Sequence, residues 1–343
     1  MAERTTRSVP LLIAISTITA ILVAGAAVAQ ELRLIRIGTG STGGTYFPVG
    51  GLIASAISNP PGSRACEVGG SCGVPGLIAA AVSTQGSVQN VTDVAAGTLD
   101  LALTQADVAY AAYLGKGAFA GERRLGNLRA IANLFPEAVH VVAGRESGIE
   151  TVADLRGKRV SLGEKESGTL VVAEIVLGAY GMGRSDVVAF HEKLGKAGDM
   201  LAAGEIDAYF MVGGYPIHAI AHTADTFEID LVPITGEAAE AIRAERPFFG
   251  EAVIPGDTYR GVDGTATLSV GAQLVVAAST DADLVFGITK ALWHPSNRKI
   301  LDSGHPNGKQ IEVARALDGI AIPLHPGAAH YYERAGLIPP DVF

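Results

Sequence analysis

The sequence predicts an α/β protein built as two lobes around one cleft. Three observations carry this. The 343 residues are rich in glycine, with 43, and poor in aromatic side chains, at 6%, which suits tight strand-to-helix turns. The apolar runs are continuous rather than alternating, as in sheets buried on both faces. The β-α series also begins twice, and one core rarely grows past about 250–300 residues.

Residues 1–29 read as a secretory leader. Arg4 and Arg7 form a short basic start, Pro10 to Gly25 is almost wholly apolar, and Ala27-Val28-Ala29 offers small residues for cleavage before Gln30. The alternative, an uncleaved anchor, is disfavoured because the stretch is short for a span of roughly 20 residues. Removing it leaves 24 basic and 34 acidic residues, a formal charge of −10. That excludes an electrostatic footprint for nucleic acid or anionic lipid. Export also fits the two cysteines, Cys66 and Cys72 in "RACEVGGSCGVPG". A disulfide is their favoured state in an oxidising compartment, with Gly69 and Gly70 bending the loop. Zinc would need further ligands, and none is near in sequence.

The elements then follow in order. "LRLIRIG" is a strand and Thr45 to Ser58 a helix. "GLIAAAVS" leads to a helix over Ser87 to Ala96, and "LDLALTQ" to one over Ala106 to Leu114. "LRAIANL" and "EAVHVVAG" are read as two strands. The pattern restarts with "RVSLG" and a helix over Gly168 to Tyr180, then "DVVAFHE" and Lys196 to Ala203. "IDAYFMVG" precedes Pro216 to Thr223, and "FEIDLVPIT" precedes Glu237 to Glu245. A long strand, "ATLSVGAQLVVAAS", carries the chain back. Helices over Asp281 to His294, Gln310 to Leu317 and Gly327 to Ala335 finish it. Lobe 1 is expected from 30–150 with about 270–343, and lobe 2 from about 151–269.

Four strand-to-helix turns carry the expected chemistry: Ser41 to Tyr46, Gly86-Ser87, Ser167-Gly168-Thr169, and Gly213-Gly214-Tyr215 with Pro216 at a first-turn position. Each is expected to pair backbone N–H groups with a hydroxyl cap, making helix N-termini that attract carboxylate or phosphate. Singly they are ordinary capping chemistry; two in each lobe point to a shared cleft. Gln105 ends the strand beside the first two turns and can both donate and accept. Asp107 reads as a helix cap. Gly38-x-Gly40-x-x-Gly43 matches a dinucleotide fingerprint, but no acid follows until Glu67 and Pro48 falls early in the helix, so no cofactor is assigned. His218 and His222 stand i, i+4 without an evident third ligand, so no metal is assigned either. No nucleophile elbow, Walker loop or His-Glu-x-x-His is present, and the chain is not read as an enzyme.

Taken together, "IGTGSTGGTYFPVGG", "TQGSVQNV", "DLALTQADVAYAAYLG", "LRAIANLFPEAVHVV", "VADLRGKRVSLGEKESGT", "IDAYFMVGGYP" and "GIAIPLHPGAAHYYERAGL" resemble the TAXI family, solute receptors of TRAP transporters. The resemblance covers about residues 33–338. It implies a type II periplasmic-binding fold and a periplasmic receptor that delivers a small organic anion or amino acid to the membrane permease of an ion-gradient-driven TRAP transporter. Dicarboxylates and 2-oxoglutarate- or glutamate-like ligands lead. It implies ligand contacts at Gly43, Gly44, Tyr46, Ser87, Gln105, Ser167, Gly168, Thr169 and Tyr215. A ligand-sensing adaptor for a signalling receptor, or a secreted enzyme on the same fold, remain the alternatives. The cysteine-bearing insertion departs from many relatives.

Overall fold

The computed structural model describes residues 32–339; the leader assigned to 1–29 lies outside them. Strand β1 (Arg33–Gly38) enters helix α1 (Tyr46–Ile57), and a short pair, β2 (Ser58–Asn59) with β3 (Val74–Pro75), brackets the insertion. Then come β4 (Leu77–Val82), α2 (Ser87–Ala96), β5 (Leu101–Gln105), α3 (Ala106–Leu114) and the long β6 (Leu128–Gly144). The second series is β7 (Arg159–Ser161), α4 (Gly168–Ala179), β8 (Val188–Phe190), α5 (Leu194–Ala202), β9 (Ala208–Gly213), α6 (His218–Thr226), β10 (Ile229–Leu231), α7 (Gly236–Glu245) and β11 (Gly250–Ile254). The chain ends with β12 (Thr265–Ala277), α8 (Ala282–Leu292), α9 (Arg298–Gly304) and α10 (Pro326–Arg334). No helix among the described residues is long and apolar enough to cross a membrane.

The strands run in the order β4-β1-β5-β12-β6-β9-β7-β8, with β10 on β6 and β11 on β12. Each half keeps the parallel pairing of a βαβ unit: β1 lies parallel to β4 and β5, and β7 parallel to β8 and β9. The two longest strands join the halves. β12 pairs with β5 through Ala272 to Val276 and with β11 through Thr265 to Ser269. β6 pairs with β12 along much of its length and with β9 from Ala138 to Ala143. Separate cores form on either side. Ile37, Ile53, Leu103, Phe135 and Leu274 share the first with Val285 and Tyr332 of the terminal helices. Val139, Val160, Val172, Phe210 and Val270 form the second. A third, around Tyr209, Ile220 and Tyr259, covers the other face of the second lobe's strands.

Three expectations change. "LRAIANL" and "EAVHVVAG" are one strand, because Pro136 sits within the ladder opposite Gly271 and the chain runs on through it. Gln310 to Leu317 is not an α-helix. The Arg298 guanidinium instead draws in the carbonyls of Gly308, Lys309 and Ile311, and only single 3-10 turns form there. Asp107 is not the cap of α3; Gln105 holds that position without a side-chain capping bond.

Cys66 and Cys72 form the expected disulfide. Gly69 takes a left-handed conformation at φ +80°. Gly70 is required for space: a Cβ there would lie 1.8 Å from the Arg64 carbonyl oxygen. The structure also brings in a residue the spacing could not show. His294 Nε2 stands 3.9 Å from Cys66 Sγ. Its Nδ1 accepts from the Ser296 N–H at 3.2 Å, which leaves Nε2 facing the sulfur.

Candidate functional site

The carboxyl ends of β1, β4 and β5 meet those of β7 and β9 at a small chamber of about 60 Å³. Lobe 1 contributes Gly44, Thr45, Tyr46, Gln85, Gly86, Ser87, Gln105 and Glu137. Lobe 2 contributes Ser161, Gly163, Glu164, Ser167, Gly168, Thr169, Glu192 and Met211. Seven of the nine expected contact residues therefore line one space. Gly168 and Ser87 show how close the lobes come. A Cβ on Gly168 would lie 2.3 Å from Gln105 Oε1 and 2.9 Å from Ser87 Oγ, so a methyl there would have to displace the Gln105 amide.

Gly43 and Tyr215 do not line the chamber. The Gly43 carbonyl accepts from the Ala219 N–H at 3.2 Å. The Tyr215 hydroxyl donates to the Val253 carbonyl at 3.3 Å, and its ring packs with the third core. The fourth turn is a bridge between lobes rather than a ligand turn: Thr45 Oγ1 donates to the Gly214 carbonyl at 2.7 Å. Pro216 is not in a first helical turn either, since α6 starts at His218 with Ile217 as its cap.

The hydroxyl caps also differ from expectation. Ser167 is a true cap, its Oγ accepting from the Leu170 N–H at 3.0 Å. α2 is capped by Gly86, which has no side chain to offer, and Thr45 is turned away to Gly214. The N-termini of α2 and α4 border the chamber; of their first-turn N–H groups, Gln89 donates to the Glu166 carbonyl and Leu170 to Ser167 Oγ. Asn90 of α2 holds the strand ends in register there, donating to the carbonyls of Thr39 and Leu103 at 2.7 Å each. Gln105 N–H donates to Ser87 Oγ at 3.2 Å, while Gln105 Oε1 is buried without a partner.

Glu137 is the functional candidate that the sequence reading missed. It is 1% exposed, and the Tyr46 hydroxyl donates to its Oε2 at 2.6 Å. Burial raises its carboxyl well above the usual range, the Tyr46 hydrogen bond pulls the other way, and nearby Asp107 raises it further. Tyr46 is itself pushed up, by burial first and then by Glu137. Asp107 is raised by burial to about 7, against the pull of backbone N–H groups at the start of α3. The other two acids of the chamber have lysines: Glu192 pairs with Lys196 at 3.1 Å, and Lys193 offsets part of the burial that raises Glu164. A charged residue inside the apolar run "FPEAVHVV" was the signal for Glu137; its neighbours gave no hint of which face it takes.

A two-lobed α/β molecule with long crossing strands and a chamber at the strand ends has the type II periplasmic-binding fold. The chain belongs to the NMT1-like family, which residues 37–336 match. The fold is shared with phosphonate-binding PhnD1 from Prochlorococcus marinus (MIT 9301), solved with methylphosphonate. That match has a TM-score of 0.50 at 12% identity, over 89% of this chain and 99% of that one. The alkanesulfonate-binding protein SsuA from Xanthomonas axonopodis pv. citri, bound to MOPS, matches at TM-score 0.47 and 16% identity, over 91% and 82%. These findings correct the resemblance to the TAXI family of TRAP transporters. The family whose model matches is the NMT1-like one.

Proposed function

We propose that this chain is an exported, periplasmic solute receptor that closes on a small organic acid, an organic anion or an amino acid, and presents it to a membrane permease. The observation that carries this is the meeting of two helix N-termini, one from each lobe, at one chamber that Gln105 also lines. Backbone N–H groups at such termini hold a carboxylate without arginine. Neither Lys nor Arg lines the chamber. Ligand touching both lobes binds the closed form better and shifts the population toward it.

Binding without turnover is part of this reading. Ser87 Oγ accepts from the Gln105 N–H, and Ser167 Oγ donates to the Glu164 carbonyl at 2.6 Å. Among the described residues neither serine has a base beside it to activate it. The disulfide and the leader-like residues 1–29 support export.

Thermal shift and titration calorimetry against carboxylic acids and amino acids test the reading. A ligand at 100 times its Kd should add about 2.7 kcal/mol of stability. Gly168→Ala should keep the fold and weaken binding at least about tenfold, because its methyl would enter the space between Gln105 and Ser87. If no such acid raises the melting temperature, the receptor reading is wrong.

A further inference from the structure

We propose that Glu137 is the counter-ion for a cationic nitrogen of the ligand, so that the receptor selects an ammonium-bearing carboxylic acid over the same acid without its nitrogen. This rests on the receptor reading and adds to it the charge pattern of the ligand.

Glu137 stands on β6, which crosses between the lobes, and among the described residues no Lys, Arg or His pairs with it. A buried carboxylate without a cation costs several kcal/mol, and proteins pair such a group, protonate it or use it. The packing supplies only one compensating bond, from Tyr46 to Oε2. Oε1 has no hydrogen-bond partner among the described residues, and Glu137 lines the chamber. The charge around it is acidic. Asp107 at the start of α3 lies behind it, Tyr46 of α1 beside it, and Glu164 and Glu192 across the chamber with their lysines. His140, three residues on, is committed elsewhere, its Nε2 to the Tyr259 hydroxyl at 3.0 Å.

The chamber therefore joins groups of opposite character. The N-termini of α2 and α4 favour a negative group, while Glu137 and its acidic surroundings favour a positive one. A zwitterion satisfies both. Burial lifts the Glu137 carboxyl and so favours its protonated form, against the hydrogen bond from Tyr46. An ammonium at Oε1 would stabilise the carboxylate, so binding should release that proton to solvent.

The experiment compares L-amino acids with the 2-oxo acids of the same carbon skeletons. Affinity is read by calorimetry at pH 7 in two buffers of different ionisation enthalpy, which counts protons. The expected result is at least about tenfold tighter binding of the amino acid, proton release rather than uptake on binding, and loss of both in Glu137→Gln. The Glu137→Gln protein should keep its melting temperature or gain, showing that it is folded. Equal or tighter binding of the 2-oxo acid overturns the proposal and leaves the receptor reading standing, as does an unchanged preference in Glu137→Gln. If neither series binds, the receptor reading itself fails and takes this inference with it.

Discussion

Asp107 shows what one buried carboxyl does to the molecule. Burial lifts it from 3.8 to about 7, against the pull of the Val108 N–H, its own N–H and Arg246. A raised folded pKa means that the folded state prefers the proton. The contribution is therefore fully present below about pH 4 and is lost as pH rises to about 7. Asp107→Asn removes the titration. Relative to the parent it should gain stability from pH 4 to pH 8, by up to about 4 kcal/mol, in chemical denaturation at both pH values. A constant difference between the two would mean that Asp107 is hydrated in solution. Gly168 is the opposite case, a residue needed for the side chain it lacks.

At the scale of the element, α4 carries the clearest sequence signal and the clearest structural consequence. Ser167 caps it, Gly168 opens the space against Gln105, and Thr169 sends its hydroxyl to Met211 Sδ at 3.7 Å. Ser167→Ala should cost about 1 kcal/mol of stability by urea denaturation, the usual loss for a helix cap. Ligand affinity should fall with it, since the cap shapes the first turn that faces the chamber. These were legible because capping is local chemistry. The fourth turn is also glycine-rich but is placed differently, because Gly214 meets Thr45 and Asn307 rather than the chamber. Composition cannot tell such turns apart; their neighbours across the fold do.

For the whole molecule, the question is what holds the lobes together. Gln85 Nε2 donates to Glu166 Oε2 at 2.8 Å, and the Gln89 N–H to the Glu166 carbonyl at 3.1 Å. Outside the chamber Tyr110 of α3 packs on Phe248, which follows α7, with ring centroids 4.8 Å apart. Such an aromatic pair contributes about 0.5–1.5 kcal/mol beyond its area, enough to move an opening equilibrium severalfold. Phe248→Ala should therefore populate the open form. Small-angle scattering would show a larger radius of gyration without ligand and the parental value at saturation. An unchanged radius in both states would show that the pair does not govern closure.

The sequence settles what short-range chemistry governs. Glycine, hydroxyl and apolar periodicity place α2, α3 and α4, the strands before them, and the Cys66–Cys72 bond. Packing decides what depends on residues far apart in the chain. Tyr46 and Glu137 are 91 residues apart, and only strand register turns that carboxyl into the chamber rather than to a cation. His294 reaches Cys66 across 228 residues, and Tyr215 leaves the site because Val253 takes its hydroxyl. A turn's conformation is paid for locally. A buried charge takes its meaning from everything packed around it, so the acidic character of this chamber appears only once the chain has folded.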